Sequence, residues 1–108
     1  MTSQDFQELR ERASMRRDAV MKPKGIDYQT GDGDRLGNFK VVGARLGLSP
    51  LEVWAVYFSK HLDAVFSYVR NGKVESEPIT GRLDDCVNYL ELVEGLIEDL
   101  KGEKPSAG

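Results

Sequence analysis

The sequence contains few of the residues that build cross-linked or metal-held folds. Among its 108 residues there is one cysteine, Cys86, and one histidine, His61. A single cysteine cannot form an intramolecular disulfide or a multi-cysteine zinc site, and a single histidine excludes a histidine-rich metal site. We therefore expect a chain that folds without disulfides, which is compatible with a reducing cytosol.

Long apolar runs and signature motifs are also missing. No stretch reaches the roughly 18 apolar residues of a membrane span, and the charged start of the chain lacks the apolar centre of a secretory signal. There is no phosphate-binding glycine loop, dinucleotide-binding motif or Ser/His/Asp order. With 40% hydrophobic and 31% charged residues in 108 positions, we predict one globular domain in the cytoplasm and exclude a multidomain enzyme.

The net charge is small but unevenly distributed. The formal charge is −3, which gives little support for a broad attraction to nucleic acid or to an anionic membrane. Residues 1–24 carry a net charge of +2, whereas residues 75–108 carry −6. Either two solvated helices happen to differ in sign, or basic and acidic elements meet within one subunit or between subunits.

Helical periodicity recurs in four segments, and no segment alternates as a strand would. The expected fold class is therefore all-α, a small bundle of about four helices. Within the single domain 1–108, we expect an N-terminal helix and arm over residues 1–24, a helical core over residues 25–101 and a frayed tail over residues 102–108.

Capping and breaking residues predict where the first two helices begin and end. Ser3 is the predicted N-cap of a first helix that stops near Val20, because Pro23 disfavours its continuation. A loop over residues 25–34 is rich in turn-forming residues. A short second helix then carries apolar residues at helical spacing and ends at Gly47.

The two long helices have the clearest signals. Ser49, Pro50 and Glu52 form a capping box at the start of a central helix that runs to Arg70. Thr80 is the predicted N-cap of a last helix from residue 81 to about residue 101. Each helix has an apolar seam with alternating three- and four-residue spacing. The predicted seam residues are Leu51, Ala55, Phe58, Leu62, Val65 and Val69 in the central helix, and Leu83, Cys86, Leu90, Val93, Ile97 and Leu100 in the last.

The central helix is apolar around most of its circumference between Val53 and Phe58. Such a segment needs more than one neighbour to cover it. In a chain of this length we expect a second subunit to supply part of that cover, and hence a homo-oligomer.

Polar residues on the two long helices form the candidate site. Lys60, Asp63, Ser67 and Arg70 share one side of the central helix, with His61 beside them, and Asp84, Asp85, Asn88 and Glu91 lie close together on the last helix. If the two helices pack antiparallel, these rows flank a groove suited to a phosphorylated ligand, with or without Mg²⁺. The alternative is that they are surface ion pairs and a solvated acidic face.

Several short motifs resemble a known group of proteins. They are Lys24–Tyr28 (KGIDY), Asn38-Phe39, Lys60 in the central helix, Glu77-Pro78-Ile79 and Leu83–Tyr89 (LDDCVNY), which includes a D-x-x-N-Y element. Over residues 24–95 this pattern resembles small, mostly uncharacterised bacteriophage proteins that are similar to the all-α MazG-like nucleotide pyrophosphohydrolases. The resemblance implies an all-α bundle, often oligomeric, that binds nucleotides and Mg²⁺, and a host-cytosol location if the chain is phage-encoded.

The resemblance, together with the polar rows, defines the candidate site residues. The candidate ligand-binding residues are Lys24, Asp27, Tyr28, Asn38, Lys60, His61, Arg70, Glu77, Arg82, Asn88 and Tyr89, and the candidate metal ligands are Asp63, Asp84 and Asp85. Lys60, Arg70 and Arg82 would contact phosphates. His61 is the single candidate for histidine-based acid–base catalysis, although a lone histidine more often packs or bonds locally.

The chain also departs from the family pattern at positions that matter for catalysis. Thr80-Gly81 replaces an acidic pair, and Lys60-His61-Leu62-Asp63 stands where a MazG-like enzyme carries Glu-x-x-Glu. Hydrolysis of a phosphoanhydride depends on metal to neutralise developing charge, so missing carboxylates affect turnover more than binding.

Three functional hypotheses remain open from the sequence. The first is a binder of a nucleotide or nucleotide-derived signal without efficient turnover, acting by sequestration. The second is a Mg²⁺-dependent nucleotide pyrophosphohydrolase that uses Asp63, Glu77, Asp84 and Asp85. The third is a protein–protein adaptor that presents the apolar surface Val53–Phe58 to a partner.

Overall fold

The computed structural model describes residues 1–28, 33–73 and 78–102, and it describes the side chains of all of these except 20–28. These residues form four helices and no strand, which confirms the all-α prediction. The helices are α1 (Ser3–Tyr28), α2 (Gly37–Leu46), α3 (Pro50–Asn71) and α4 (Ile79–Leu100). None of them combines the length and the apolar character that a membrane-spanning helix needs.

Two of the predicted helix ends are confirmed in detail. The Ser49 side chain accepts a hydrogen bond from the Glu52 amide, and the Glu52 carboxylate accepts one from the Ser49 amide, with Pro50 in the first turn of α3. These bonds lower the pKa of the Glu52 carboxyl. Gly47 ends α2 with φ = 72°, a conformation that glycine adopts without strain.

Two predicted N-caps are wrong. At α1 the reciprocal pair is Thr2 and Asp5, one residue earlier than the Ser3 prediction, with distances of 3.0 Å from the Thr2 amide to Asp5 Oδ2 and from the Asp5 amide to Thr2 Oγ1. At α4 the cap is Pro78, without a side-chain hydrogen bond, so Thr80 lies inside the helix. A serine or threonine near a helix start is ambiguous when a neighbouring residue offers the same chemistry.

The predicted end of α1 is also wrong, because the helix continues through Pro23 to Tyr28. A proline inside a helix removes one hydrogen bond from the ladder and crowds the preceding turn, which is a cost rather than an absolute stop. The predicted loop 25–34 is therefore partly helical, and its residues 29–32 lie outside the described residues, as do 103–108 of the predicted tail.

The core lies where α2, α3 and α4 meet. Its buried residues are Phe39, Val53, Tyr89, Leu92 and Leu96, and Leu36, Val42, Trp54 and Phe58 pack against them. Cover for the apolar start of α3 thus comes partly from α2 and α4 of the same chain.

The register between α3 and α4 is antiparallel, as the groove hypothesis required. The Trp54 indole donates a hydrogen bond to the backbone oxygen of Tyr89 (2.7 Å), and His61 Nδ1 lies 3.6 Å from Asp85 Oδ2. A later residue of α3 therefore contacts an earlier residue of α4, as expected for antiparallel helices. The predicted α4 seam does not form this core: Tyr89, Leu92 and Leu96 are buried in α4, whereas the seam residues Leu90 and Ile97 are exposed. Of the predicted α3 seam, Phe58 packs against the core.

A tight turn joins α2 to α3 and depends on Gly43. The amides of Gly47 and Leu48 both donate to the Gly43 oxygen, which brings the chain back over the helix end. A Cβ at position 43 would lie 2.6 Å from the backbone oxygen of Leu48. A glycine inside a helix usually lowers the stability of that helix, but here the turn requires one.

We expect Gly43→Ala to lower the free energy of unfolding by about 1–3 kcal/mol, because the added methyl group meets backbone that must shift. Gly95→Ala is the matched control. A Cβ there lies 3.8 Å from Leu36 Cδ1, so alanine should raise stability by about 0.5–1 kcal/mol through helix propensity. Urea denaturation of both variants tests this pair, and equal effects of the two substitutions would contradict it.

Candidate functional site

A pocket opens between α2, α3 and α4 on the side of the core. It has a cavity volume of about 370 Å³ and is lined by Asn38, Phe39, Tyr57, Lys60, His61 and Tyr89. We call it the aromatic pocket. Four of its six residues, namely Asn38, Lys60, His61 and Tyr89, belong to the set predicted from the sequence.

Packed rings form the wall of the aromatic pocket. The Phe39 ring lies 6.0 Å from the Tyr57 ring and 6.4 Å, edge to face, from the Tyr89 ring. The imidazole of His61 lies 4.6 Å from the Tyr89 ring. Phe39 and Tyr89 are buried core residues, so this wall is fixed by the same packing that holds the three helices together.

Polar groups stand around these rings. Lys60 is exposed and Asn38 is exposed on α2, so both can meet a ligand at the mouth of the pocket. His61 is mostly buried, with Asp85 Oδ2 3.6 Å from its Nδ1. When the imidazole is protonated, this carboxylate balances its charge. The pocket thus combines aromatic faces, one amide and one exposed ammonium group.

Two predicted phosphate-binding arginines lie outside the lining of this pocket. Arg70 is exposed in the last turn of α3, ten residues beyond Lys60 and hence about 15 Å along the helix axis. Arg82 is partly buried near the start of α4, two turns before Tyr89. Asn88 is buried next to Tyr89 but does not line the cavity.

Four other predicted residues are not described in atomic detail. Lys24, Asp27 and Tyr28 lie in the last two turns of α1, where side chains are outside the described part of the structure. Glu77 lies outside the described residues. Their assignment to the site stays a prediction.

The three candidate metal ligands are not gathered at one point. Asp84 is buried and faces α1, where Arg16 donates two hydrogen bonds to its carboxylate, from Nε (2.6 Å) and from Nη2 (2.8 Å). Arg17 Nη1 lies 3.7 Å from the same group. Asp63 is exposed and stands about 200° around α3 from His61, away from α4. Among the described residues, no group of three or more His, Cys, Asp or Glu side chains could hold a metal ion.

The Arg16–Asp84 pair is where the basic start of the chain meets its acidic end. Hydrogen bonding to Asp84 raises the pKa of the Arg16 guanidinium. An arginine is protonated at physiological pH in any case, so Arg16 carries its positive charge in this pair. Lys40 makes a second bridge, to Asp34 and to Asp99 of α4, and these bonds raise the pKa of its ammonium group. The basic start and the acidic end of the chain are therefore not two separate solvated helices, because Arg16 of α1 contacts Asp84 of α4 within one subunit.

Sequence reasoning missed Phe39 and Tyr57 as wall residues of the aromatic pocket. Phe39 was visible as the second residue of the Asn38-Phe39 motif, and its apolar spacing assigned it to the core, which is also correct. Tyr57 carried no separate signal, since one more aromatic residue in an apolar segment looks like core. Phe39 belongs to both the core and the pocket wall because it lies at the edge of the packed cluster.

We expect Arg16→Ala to release α1 from α4. The buried Asp84 carboxylate loses two charge-assisted hydrogen bonds, so the opening free energy of α1 should fall. Hydrogen exchange of the α1 amides measures this directly. Arg10→Ala is the control, because Arg10 contacts Gln7 on its own helix. Unchanged protection of α1 in the Arg16 variant would show that other contacts dock the helix.

Comparison with family models, with curated proteins and with solved structures gives no match for this chain. The MazG-like resemblance is therefore carried by the residues alone, and it stays a prediction.

Proposed function

We propose that this protein binds a nucleotide or a nucleotide-derived small molecule in the aromatic pocket. The observation that carries the proposal is the convergence of Asn38, Lys60, His61 and Tyr89 on one cavity. These residues are spread over 52 positions of the sequence, and the sequence alone predicts each of them as ligand-binding. Their convergence supports a common ligand.

The chemistry of the lining suits the parts of a nucleotide. Aromatic faces stack on bases, which contributes about 1–3 kcal/mol per base in proteins that use this contact. The Asn38 amide can donate to and accept from a base edge or a ribose hydroxyl. Lys60 offers an ammonium group at the mouth, where a phosphate can remain partly hydrated while it is bound.

The size of the cavity favours a small ligand. Its volume of about 370 Å³ lies at the lower end of the range of roughly 300–1,000 Å³ that is usual for small-molecule sites. A base with its ribose can enter such a space while the phosphates extend toward Lys60. We propose a mononucleotide or a similarly small derivative as the ligand class.

Binding without efficient turnover is the better-supported form of this function. Asp84 is engaged by Arg16 and Arg17, Asp63 faces away from α4, and the described carboxylates do not form a three-ligand metal group. Mg²⁺-dependent hydrolysis usually holds the ion between one or two carboxylates and the phosphates, and none of the described residues that line the aromatic pocket is a carboxylate. We infer a role in sequestering a nucleotide signal, with the pyrophosphohydrolase as the alternative.

The adaptor hypothesis receives less support from the packing. It relied on the apolar surface Val53–Phe58, but Val53 is buried and both Trp54 and Phe58 pack against the core. Only part of that segment, including Val56, remains on the surface.

The proposal is tested by thermal-shift measurements on the full chain with nucleosides, their mono-, di- and triphosphates and cyclic nucleotides, each with and without Mg²⁺. Binding to the folded state stabilises it by about 2.7 kcal/mol when the ligand concentration is 100 times Kd. No shift with any compound contradicts the proposal. Chromatography after incubation then separates the two mechanisms, because an intact ligand supports binding and a released pyrophosphate supports the enzyme.

Lys60→Gln provides the residue-level prediction. Loss of one charge-assisted contact, worth about 1.5–3 kcal/mol, should weaken a phosphorylated ligand by roughly 10- to 100-fold while leaving the parent nucleoside unchanged. Lys73→Gln is the matched control, since Lys73 is an exposed lysine beyond the end of α3. Calorimetric titration of both variants measures the difference, and equal affinities in the two variants would place the phosphate elsewhere.

A further inference from the structure

One side of the α3–α4 pair carries apolar residues that the described helices leave exposed. The most exposed are Phe66 and Val69 of α3 and Leu83, Leu90 and Leu100 of α4, each between 44% and 74% accessible. They belong to, or lie next to, the two predicted seams. We call this surface the seam face.

Helix geometry shows that the two seams lie on the same side. Each residue advances by 100° around its helix, so in α3 the seam lies about 90° beyond the residues that contact α4, such as Trp54 and His61. In α4 the seam lies about 70–110° beyond Tyr89 and Asp85, which contact α3. Both seams thus lie at a similar angle, in the same sense along the chain, from the residues that join the two helices. Because the helices are antiparallel, the two seams lie on one face of the pair, opposite the face that α2 covers.

The exposed apolar area of the seam face equals that of the largest apolar patch on a typical monomer, and such a patch often has a function. At usual side-chain areas its five most exposed residues amount to roughly 500 Å², within the range of about 300–600 Å² for the largest patch of a monomer. A standard interface removes about 800 Å² from each partner. The half-buried seam residues Phe58, Leu62 and Val65 and the polar flanks would supply the rest of this buried area.

We propose that a second copy of this chain packs on the seam face, with the two α3 helices antiparallel across a two-fold axis near Lys60. The spacing of the α3 seam is symmetric about that residue. An antiparallel copy therefore places Leu51 over Val69 of the partner subunit, Ala55 over Val65 of the partner subunit and Phe58 over Leu62 of the partner subunit. Each layer joins a residue from one half of the seam to one from the other half, as in antiparallel coiled coils.

The same axis brings α4 into register. Because Trp54 lies beside Tyr89 and His61 beside Asp85, Lys60 is level with about Asp85. Rotation about this level places Leu83 over Cys86 of the partner subunit and Ile79 over Leu90 of the partner subunit. Two hairpins then form a four-helix bundle with a continuous apolar interior.

Charge complementarity selects this arrangement over one in which α3 lies on α4 of the partner. Glu52 and Arg70 are exposed on the same flank of α3, five turns apart. With α3 antiparallel to its copy, each Glu52 meets Arg70 of the partner subunit, and the pair occurs twice. In the other arrangement Glu52 would face the acidic outer edge of α4, which includes Glu94.

Sedimentation equilibrium of the full chain, with the Val69→Asp and Val56→Asp variants, tests the proposal. The wild type should be a dimer at micromolar concentration, and Val69→Asp should weaken the dimer by at least about 100-fold, because two carboxylates enter an apolar layer. Val56 is also an exposed valine (62%, against 74% for Val69) and lies on the side of α3 away from the seam, so Val56→Asp should leave the dimer intact. A monomeric wild type, or equal effects of the two variants, would overturn the proposal.

A charge-swap cycle tests the orientation separately. Glu52→Arg and Arg70→Glu should each weaken the dimer by several-fold, and the double variant should recover most of the affinity because the pair re-forms with reversed signs. Glu52→Arg also breaks the capping box of α3, but that loss persists in the double variant and so cannot produce the recovery. Additive effects of the two substitutions would overturn the antiparallel α3 register.

Discussion

The fold depends on the packing around Tyr89, where three helices meet. Its backbone oxygen accepts a hydrogen bond from the Trp54 indole N–H, which fixes the level of α3 against α4, and its ring contacts Phe39 of α2 and His61 of α3. A buried indole N–H needs an acceptor, so this hydrogen bond stabilises one register over its neighbours. Buried Leu92 and Leu96 extend the same row toward the end of α4.

This packing also creates the candidate site. Because Phe39 and Tyr89 are buried, the wall of the aromatic pocket is as rigid as the core, while Asn38 and Lys60 stand beside it on the surface. On each helix one residue packs and its neighbour is exposed: Phe39 packs and Asn38 is exposed on α2, and His61 packs and Lys60 is exposed on α3. In the proposed function, the two exposed residues would contact the ligand. A rigid apolar wall with a few polar groups is the usual composition of a small-molecule site.

The sequence predicts the elements of this molecule better than their faces. Periodicity identified the helices, and the local chemistry of Ser49, Pro50 and Glu52 defined the start of α3 because a capping box needs only neighbouring residues. Which face of a helix is buried was harder to predict. The α4 seam has the three–four spacing of an apolar face, but the buried core residues of α4 are Tyr89, Leu92 and Leu96. A periodic pattern says that a face is apolar, not which partner covers it.

In the candidate site, too, the sequence predicts residue types from local motifs but not the pairing of residues that are distant in the chain. Asn38, Lys60, His61 and Tyr89 were identified from motif and polarity, and the fold brings them together. Asp84 looked like a metal ligand because it is one of two adjacent carboxylates, yet it is held by Arg16, 68 positions earlier in the chain. Pairing at that separation cannot be inferred from residue type alone.

We propose that a nucleotide-like ligand binds in the aromatic pocket. The most direct test is to map amide chemical-shift changes in ¹⁵N-labelled protein on titration with the nucleotide that gives the largest thermal shift. We expect the strongest changes to cluster at Asn38, Lys60 and Tyr89 and their immediate neighbours in α2, α3 and α4. Changes concentrated instead between α1 and α4, around Arg16 and Asp84, would contradict it.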